Sequence, residues 1–295
     1  MLWAVFTIIA ATAQTARNAM QRHLTATLGT VGATHVRFLY GFPFAVVFLI
    51  GVLTVTGTSL PYPPAAFWPW VVLGMATQIG ATATMLAAMN DRSFVVTIAY
   101  TKTEPVQVAI FGFLLLGDKV TSLLAAAIVV ATAGVIVMSL KRGAVQQNGI
   151  RPTVLGLVSA GLFGLSATGF RGAILEIEHT HTFVVAATFT LVVGLLMQSV
   201  LLSAYLAVRE PGRLTAIFRA YKQASFAGFM GAIASQFWFL GFAIATAASV
   251  RTLGLVEVLF AQGVSHYLFR QKTTPREIAG MALLVIGVGL LLWAT

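Results

Sequence analysis

The residues with the most chemistry to offer lie where water should not reach. Tyr100-Thr101-Lys102-Thr103-Glu104-Pro105 interrupts an apolar stretch from Phe94 to Leu116, which has the length and apolarity of a helix that spans a bilayer. An ionisable group at that depth costs roughly 2.5 to 3.5 kcal/mol on insertion scales, so it faces a protein interior or a watery cavity and marks a pathway. Pro105 cannot donate a backbone hydrogen bond and crowds the carbonyl of Thr101, so a kink or opening is expected there. Lys102 and Glu104 are two residues apart and point to different faces, so they do not pair with each other. Glu104 is therefore a candidate proton carrier or partner for a ligand ammonium, with a structural ion pair as the plainer alternative. Lys102 is long enough to snorkel instead.

Other candidates are sparse polar groups on apolar segments. Gln14 and Asn18, with Thr15 and Arg17 beside them, share a face of the first segment, and Arg171 stands at a comparable point of the sixth. Such a polar stripe turns inward, to join helices or to touch a ligand. Gln78 and Thr82 lie one turn apart, Ser235 and Gln236 precede Phe237-Trp238-Phe239, and Tyr100 adds a fourth aromatic residue. Rings with a few hydrogen-bonding groups suit a partly apolar solute, so Gln14, Gln78, Thr82, Tyr100, Lys102, Glu104 and Trp238 are the expected ligand contacts. Filler roles in a core or against lipid remain the alternative for the rings. Glu257 is the deep charge of the ninth segment, a second candidate for coupling, and Arg251 reads as an interfacial anchor. Gly156, Ala160, Gly164, Thr168 and Gly172 recur every four residues, a ladder for close helix packing.

Ten apolar segments position these groups, near 2–20, 34–56, 66–89, 94–116, 120–140, 153–174, 180–206, 223–244, 249–269 and 276–293. Gly57 to Pro64, Asn90-Asp91 and Arg209-Glu210-Pro211-Gly212 supply turn chemistry between them. Adding 153 to the numbering lays Glu104 on Glu257, Lys119 on Lys272, Thr121 on Thr274 and Gly134 on Gly287 without a gap. The expected fold is an all-α polytopic membrane protein of ten transmembrane helices. Residues 1–140 and 153–295 form its two five-helix repeats, joined by a cytoplasmic linker at 141–152. An odd number of helices per repeat makes the two repeats inverted, and the site is expected in a central cavity at their interface.

Composition agrees with a membrane protein: 58% of the 295 residues are hydrophobic and 9% charged, where soluble domains carry about 25% charged residues. The formal net charge of +10 does not call for nucleic acid, because the cations gather in short connections. Arg17, Arg22, Arg92, Lys141, Arg142, Arg151, Arg209, Arg213, Arg219, Lys222, Arg270, Lys272 and Arg276 fall on one side of the ten-segment scheme, and Lys119 on the other. Cytoplasmic loops collect Lys and Arg, so both termini are expected outside the cytoplasm. The first apolar stretch lacks a basic leader and cleavage site, and reads as a retained helix. With no cysteine, disulfides and thiolate metal sites are ruled out. Five histidines form no ligand set, and HExxH, GxSxG and P-loop motifs are missing, so neither an enzyme nor a cofactor is expected.

Val36-Arg37-Phe38-Leu39-Tyr40-Gly41, Thr103-Glu104-Pro105-Val106, Leu114-Leu115-Leu116-Gly117-Asp118 and Gly134 together resemble the drug/metabolite transporter superfamily in its ten-helix EamA-type branch. Asp118 stands where that branch usually has Glu, and Arg270-Gln271-Lys272 replaces a Gly-acid ending in the second half. The resemblance implies solute export across a bacterial inner membrane, most like the YddG-type exporters of aromatic and other neutral amino acids. An exporter or facilitator of drug-like cations or other metabolites is the alternative, with a membrane scaffold behind it. The internal duplication favours a monomer, with a small solute and the lipid bilayer as its partners.

Overall fold

The computed structural model describes residues 1–91, 100–139, 151–260, 262 and 274–294. Among these, all regular structure is helical. Helix α1 (Leu2–Leu39) is broken only at Gly29, whose φ of 67° is readily available to glycine alone. The connection expected at 21–33 is thus helical on both sides of one residue. Gln21, buried, donates through Nε2 to the Ala33 carbonyl at 3.0 Å and so ties the two arms across the break. The arm after Gly29 leads through Tyr40 into α2 (Gly41–Thr56), making up the second expected span. Arg17, assigned above to a connection, is instead 2% exposed in the body of α1.

Helix α3 (Phe67–Asp91) is followed by α4 (Glu104–Phe111), a π-helical turn (Gly112–Leu116) and α5 (Ser122–Ser139). Lys102 and Thr103 form a turn just before α4, and Pro105 occupies its first turn, where a missing N–H costs nothing. The second half contains α6 (Arg151–Glu178), α7 (Phe183–Arg209), a short α8 (Pro211–Arg219) within a segment read above as turn, α9 (Tyr221–Ile244), α10 (Ala247–Leu253) and α11 (Pro275–Ala294). After α10 the chain tightens into a 3₁₀ turn (Gly254–Val256) and resumes a helix at 257–260. The first residues of the fourth expected span, the end of the ninth, most of the linker, Arg92, Lys141, Arg142, Arg270, Lys272 and Thr295 lie outside the described residues.

Six helical stretches among the described residues are long and apolar enough to cross a bilayer: His23–Thr56, Phe67–Met89, Thr153–Glu178, Phe183–Arg209, Tyr221–Ile244 and Pro275–Ala294. Glu104–Leu116 and Ser122–Met138 are shorter apolar helices. The most extensive packings all cross between halves: α3 on α6, α1 on α9, α5 on α11 and α2 on α7. Small residues permit the closest of them. A Cβ on Gly169 would lie 2.6 Å from the Gly74 nitrogen, and one on Gly134 2.6 Å from the Leu284 nitrogen. Of the ladder on α6, Gly156 faces Tyr100, Gly164 faces Val108 and Phe111, and Gly172 faces Trp70.

Two large apolar layers, with a smaller cluster of Ala131, Val135, Leu255 and Leu284, fill the bundle among the described residues. One, toward the end carrying Met1, contains Trp3, Phe67, Phe170, Phe189, Phe239 and Phe242, with Phe170 and Phe239 ring centroids 4.7 Å apart. The other contains Leu24, Leu28, Met85, Leu86, Leu206 and Ile217. Side chains such as Val47, Ile50, Val129, Val200, Val285 and Ile286 are exposed on the outside, an apolar belt that water would not tolerate and lipid would. These observations make it a multi-pass membrane protein.

Candidate functional site

A polar centre lies within the bundle, built from the breaks in two helices. The turn before α4 presents Lys102 and Glu104; α10 and the 3₁₀ turn after it present Arg251 and Glu257. The four do not pair within their own halves. Lys102 forms an ion pair with Glu257, and the Arg251 Nε lies 3.0 Å from Glu104 Oε1, though without hydrogen-bond alignment. All four are nearly buried. A buried ion pair stands only if its desolvation is offset by close geometry and further hydrogen bonds.

Neighbouring groups supply some of these. Gln14 on α1 donates through Nε2 to Glu257 Oε2 at 3.3 Å, and accepts from the Trp238 indole at 3.1 Å. The Arg251 guanidinium stacks 4.4 Å above the Trp238 ring and 5.3 Å from that of Phe242, a favourable cation–π arrangement. Gly254 makes room for the indole: a Cβ there would lie 2.5 Å from Trp238 Cη2.

Two more arginines stand beside this network. Arg17 donates through Nε and Nη2 to Asn18 Oδ1 at 3.3 and 2.7 Å, leaving Nη1 buried with no hydrogen-bond partner. Arg37, 4% exposed, donates through Nη1 to Thr82 Oγ1 at 3.3 Å, and its Nε is likewise unpartnered. Their aliphatic stems meet at Gly231 of α9, where a Cβ would lie 3.3 Å from Arg17 Cδ and 3.4 Å from Arg37 Cγ.

Gln14, Arg17, Asn18, Met85, Thr101, Lys102, Glu104, Phe163 and Arg251 line a cavity of ≈ 320 Å³, counting the part open to solvent. Of the expected contacts, Gln14, Lys102 and Glu104 line it. Glu257 stands one layer behind, engaged by Lys102 and Gln14. Gln78 accepts from Gln198 Nε2 at 2.9 Å, and Thr82 donates to the Gln78 carbonyl at 2.9 Å while accepting from Arg37. Trp238 lies beneath Arg251, and Tyr100 packs the base of its ring against Gly156 while its hydroxyl is buried without a partner. Arg251, read above as an interfacial anchor, is part of the centre, and Arg37, Thr101, Met85 and Phe163 join it unannounced. Arg37 had two signals, a charge inside an apolar segment and its place in the motif that carries the family resemblance.

A second ionic site closes the bundle toward the Met1 end. Arg171 on α6 donates to the Phe242 and Ala245 carbonyls at 2.6 and 2.7 Å, and through Nη2 to Asp118 Oδ1 at 3.2 Å. The π-helical turn and the left-handed Gly117 after it bring Asp118 to this point. The aromatic layer lies on the same side.

Architecture and site together define a membrane-embedded helical bundle with an ion-paired polar cavity shared by its two halves. Residues 1–140, about half of the chain, match the EamA-like transporter family. A crystal structure with 16% sequence identity superposes with a TM-score of 0.67 over 99% of this chain and 99% of its own, and shows the fold alone. No curated protein matches the chain.

Proposed function

We propose that the protein is a secondary transporter that moves a small solute across a bacterial inner membrane by alternating access, built from two inverted five-helix repeats. One observation carries the reading: a polar cavity at mid-depth of an apolar bundle whose ion pairs, Lys102 with Glu257 and Glu104 with Arg251, all join one half to the other. Rocking of the halves would break and remake those pairs while moving the cavity between sides. The pairing of helices supports the repeat. Numbering the spans one to ten, exchange of halves turns the contact of three with six into that of eight with one, and returns two on seven and five on ten to themselves.

The cargo we propose is an amino acid, exported, with its polar end at Gln14, Lys102 and Glu104. Gln78, Thr82, Tyr100 and Trp238 then act behind the cavity wall or in another state of the cycle. Glu104, with Glu257, is the proposed coupling carboxylate, and the termini face the periplasm. The match of residues 1–140 to EamA-like transporters supports transport over a scaffold role.

The test is efflux of labelled phenylalanine and threonine, beside an organic cation, from proteoliposomes holding wild type or Glu104→Gln. Amino acid flux that the substitution reduces supports the proposal. Cation flux alone moves the cargo to that class, and the absence of flux for these solutes and for organic anions alike overturns transport.

A further inference from the structure

We propose that the solute held in this cavity is a small organic anion, its carboxylate or phosphate group bound by Arg17, with Arg37, Lys102 and Arg251 beside it. This narrows the cargo of the transporter reading and rests on it. The charge balance of the centre is the argument. Arg17, Arg37, Lys102 and Arg251 are buried together with two carboxylates among the described residues, Glu104 and Glu257, an excess of two positive charges.

Both carboxylates already face a cation. Glu257 holds Lys102 and the Gln14 amide, and Glu104 faces Arg251. A ligand ammonium drawn to Glu104 would also meet four cations. Glu104 Oε1 and Arg251 Nε, without hydrogen bonds, at least face each other, whereas two donors have no counter-charge beside them: Nη1 of Arg17, a residue that lines the cavity, and Nε of Arg37, packed beside it across Gly231. The only acceptor bonded to Arg17 among the described residues is Asn18, a neutral amide that supplies no counter-charge. An unpaired buried charge is unfavourable, and a guanidinium matches the two oxygens of a carboxylate or phosphate. A bound dianion would neutralise the centre, which a neutral zwitterion cannot do. Among amino acids this favours the acidic ones.

The experiment uses the full chain in detergent, titrated calorimetrically with succinate, glycerol 3-phosphate, glutamate, phenylalanine and tetraphenylphosphonium, and counterflow of the same solutes in proteoliposomes. Binding of one or more of the anions at least tenfold tighter than phenylalanine, with no cation binding, is expected. Succinate against glycerol 3-phosphate separates carboxylate from phosphate. Arg17→Gln should weaken that binding at least tenfold and Arg17→Lys less. Gly231→Ala, which crowds both arginines without altering charge, should weaken it too, and serves if Arg17→Gln does not fold. Phenylalanine or cation binding equal to or tighter than that of the anions, or anion binding indifferent to these substitutions, overturns the inference while leaving transport standing. Anion binding without flux of any solute keeps the inference and overturns transport.

Discussion

Arg17 on α1 and Arg171 on α6 stand at comparable points of the two halves, the first buried and the second nearly so, yet their surroundings differ in kind. Arg171 meets two carbonyls at the end of α9 and the Asp118 carboxylate, with only Nε left over. The end of a helix carries partial negative charge, so this guanidinium is nearly satisfied by protein alone. Arg17 has the amide of Asn18, with Arg37 alongside as another cation. The first arrangement is a closure and the second an incomplete site. Burial and residue type do not distinguish them; the identity of the acceptors does.

The strongest way to break this comparison is to remove a counter-charge from the centre. Glu257→Ala leaves Lys102 unpaired and takes the acceptor from Gln14, and stripping one partner from a buried pair costs about 3 to 5 kcal/mol. Thermal unfolding in detergent should register that loss, and Lys102→Met in the same chain should recover much of it. A double variant as unstable as the single one would show that the pair is not coupled.

The closure is tested next. Because the chain has no cysteine, Thr7→Cys introduces one reporter at a buried position of the Met1 end. Asp118→Asn weakens the hold on Arg171 and is expected to speed maleimide labelling of that cysteine severalfold. An unchanged rate would remove Arg171 and Asp118 from the closure.

Smaller effects sharpen how the centre is supported. Gly254→Ala places a methyl against Trp238, overpacking that typically costs about 1 to 3 kcal/mol, and it should lower the melting temperature and displace Arg251. Trp238→Phe keeps a ring under Arg251 but loses the hydrogen bond to Gln14. About 1 kcal/mol is expected, visible as a modest melting shift. A larger loss than for Gly254→Ala would place the indole N–H ahead of the stacking.

The polar residues around Pro105 were legible because a charge in an apolar span is costly wherever it lies, and the opening before α4 follows from proline chemistry. Glu257 was found by the same logic. Gln78 and Trp238 were placed at the cavity because their side chains suit a ligand, but Gln198, 120 residues away, engages Gln78, and Arg251 covers Trp238. Arg251 looked like an anchor because its distance from a segment end says nothing of the neighbours that bury it.

The sequence by itself determined the membrane class, the apolar segments and the positions of the deep charges, since lengths, hydropathy and the cost of burying a charge are properties of the chain. Tertiary structure decided which charges are answered. Lys102 and Arg251 find their partners about 150 residues away, across the two halves, and only packing of α1 and α9 brings Arg17 and Arg37 together at Gly231 with donors to spare. Electrostatic pairing depends on a few ångströms of distance, and distance between remote segments is set by the fold.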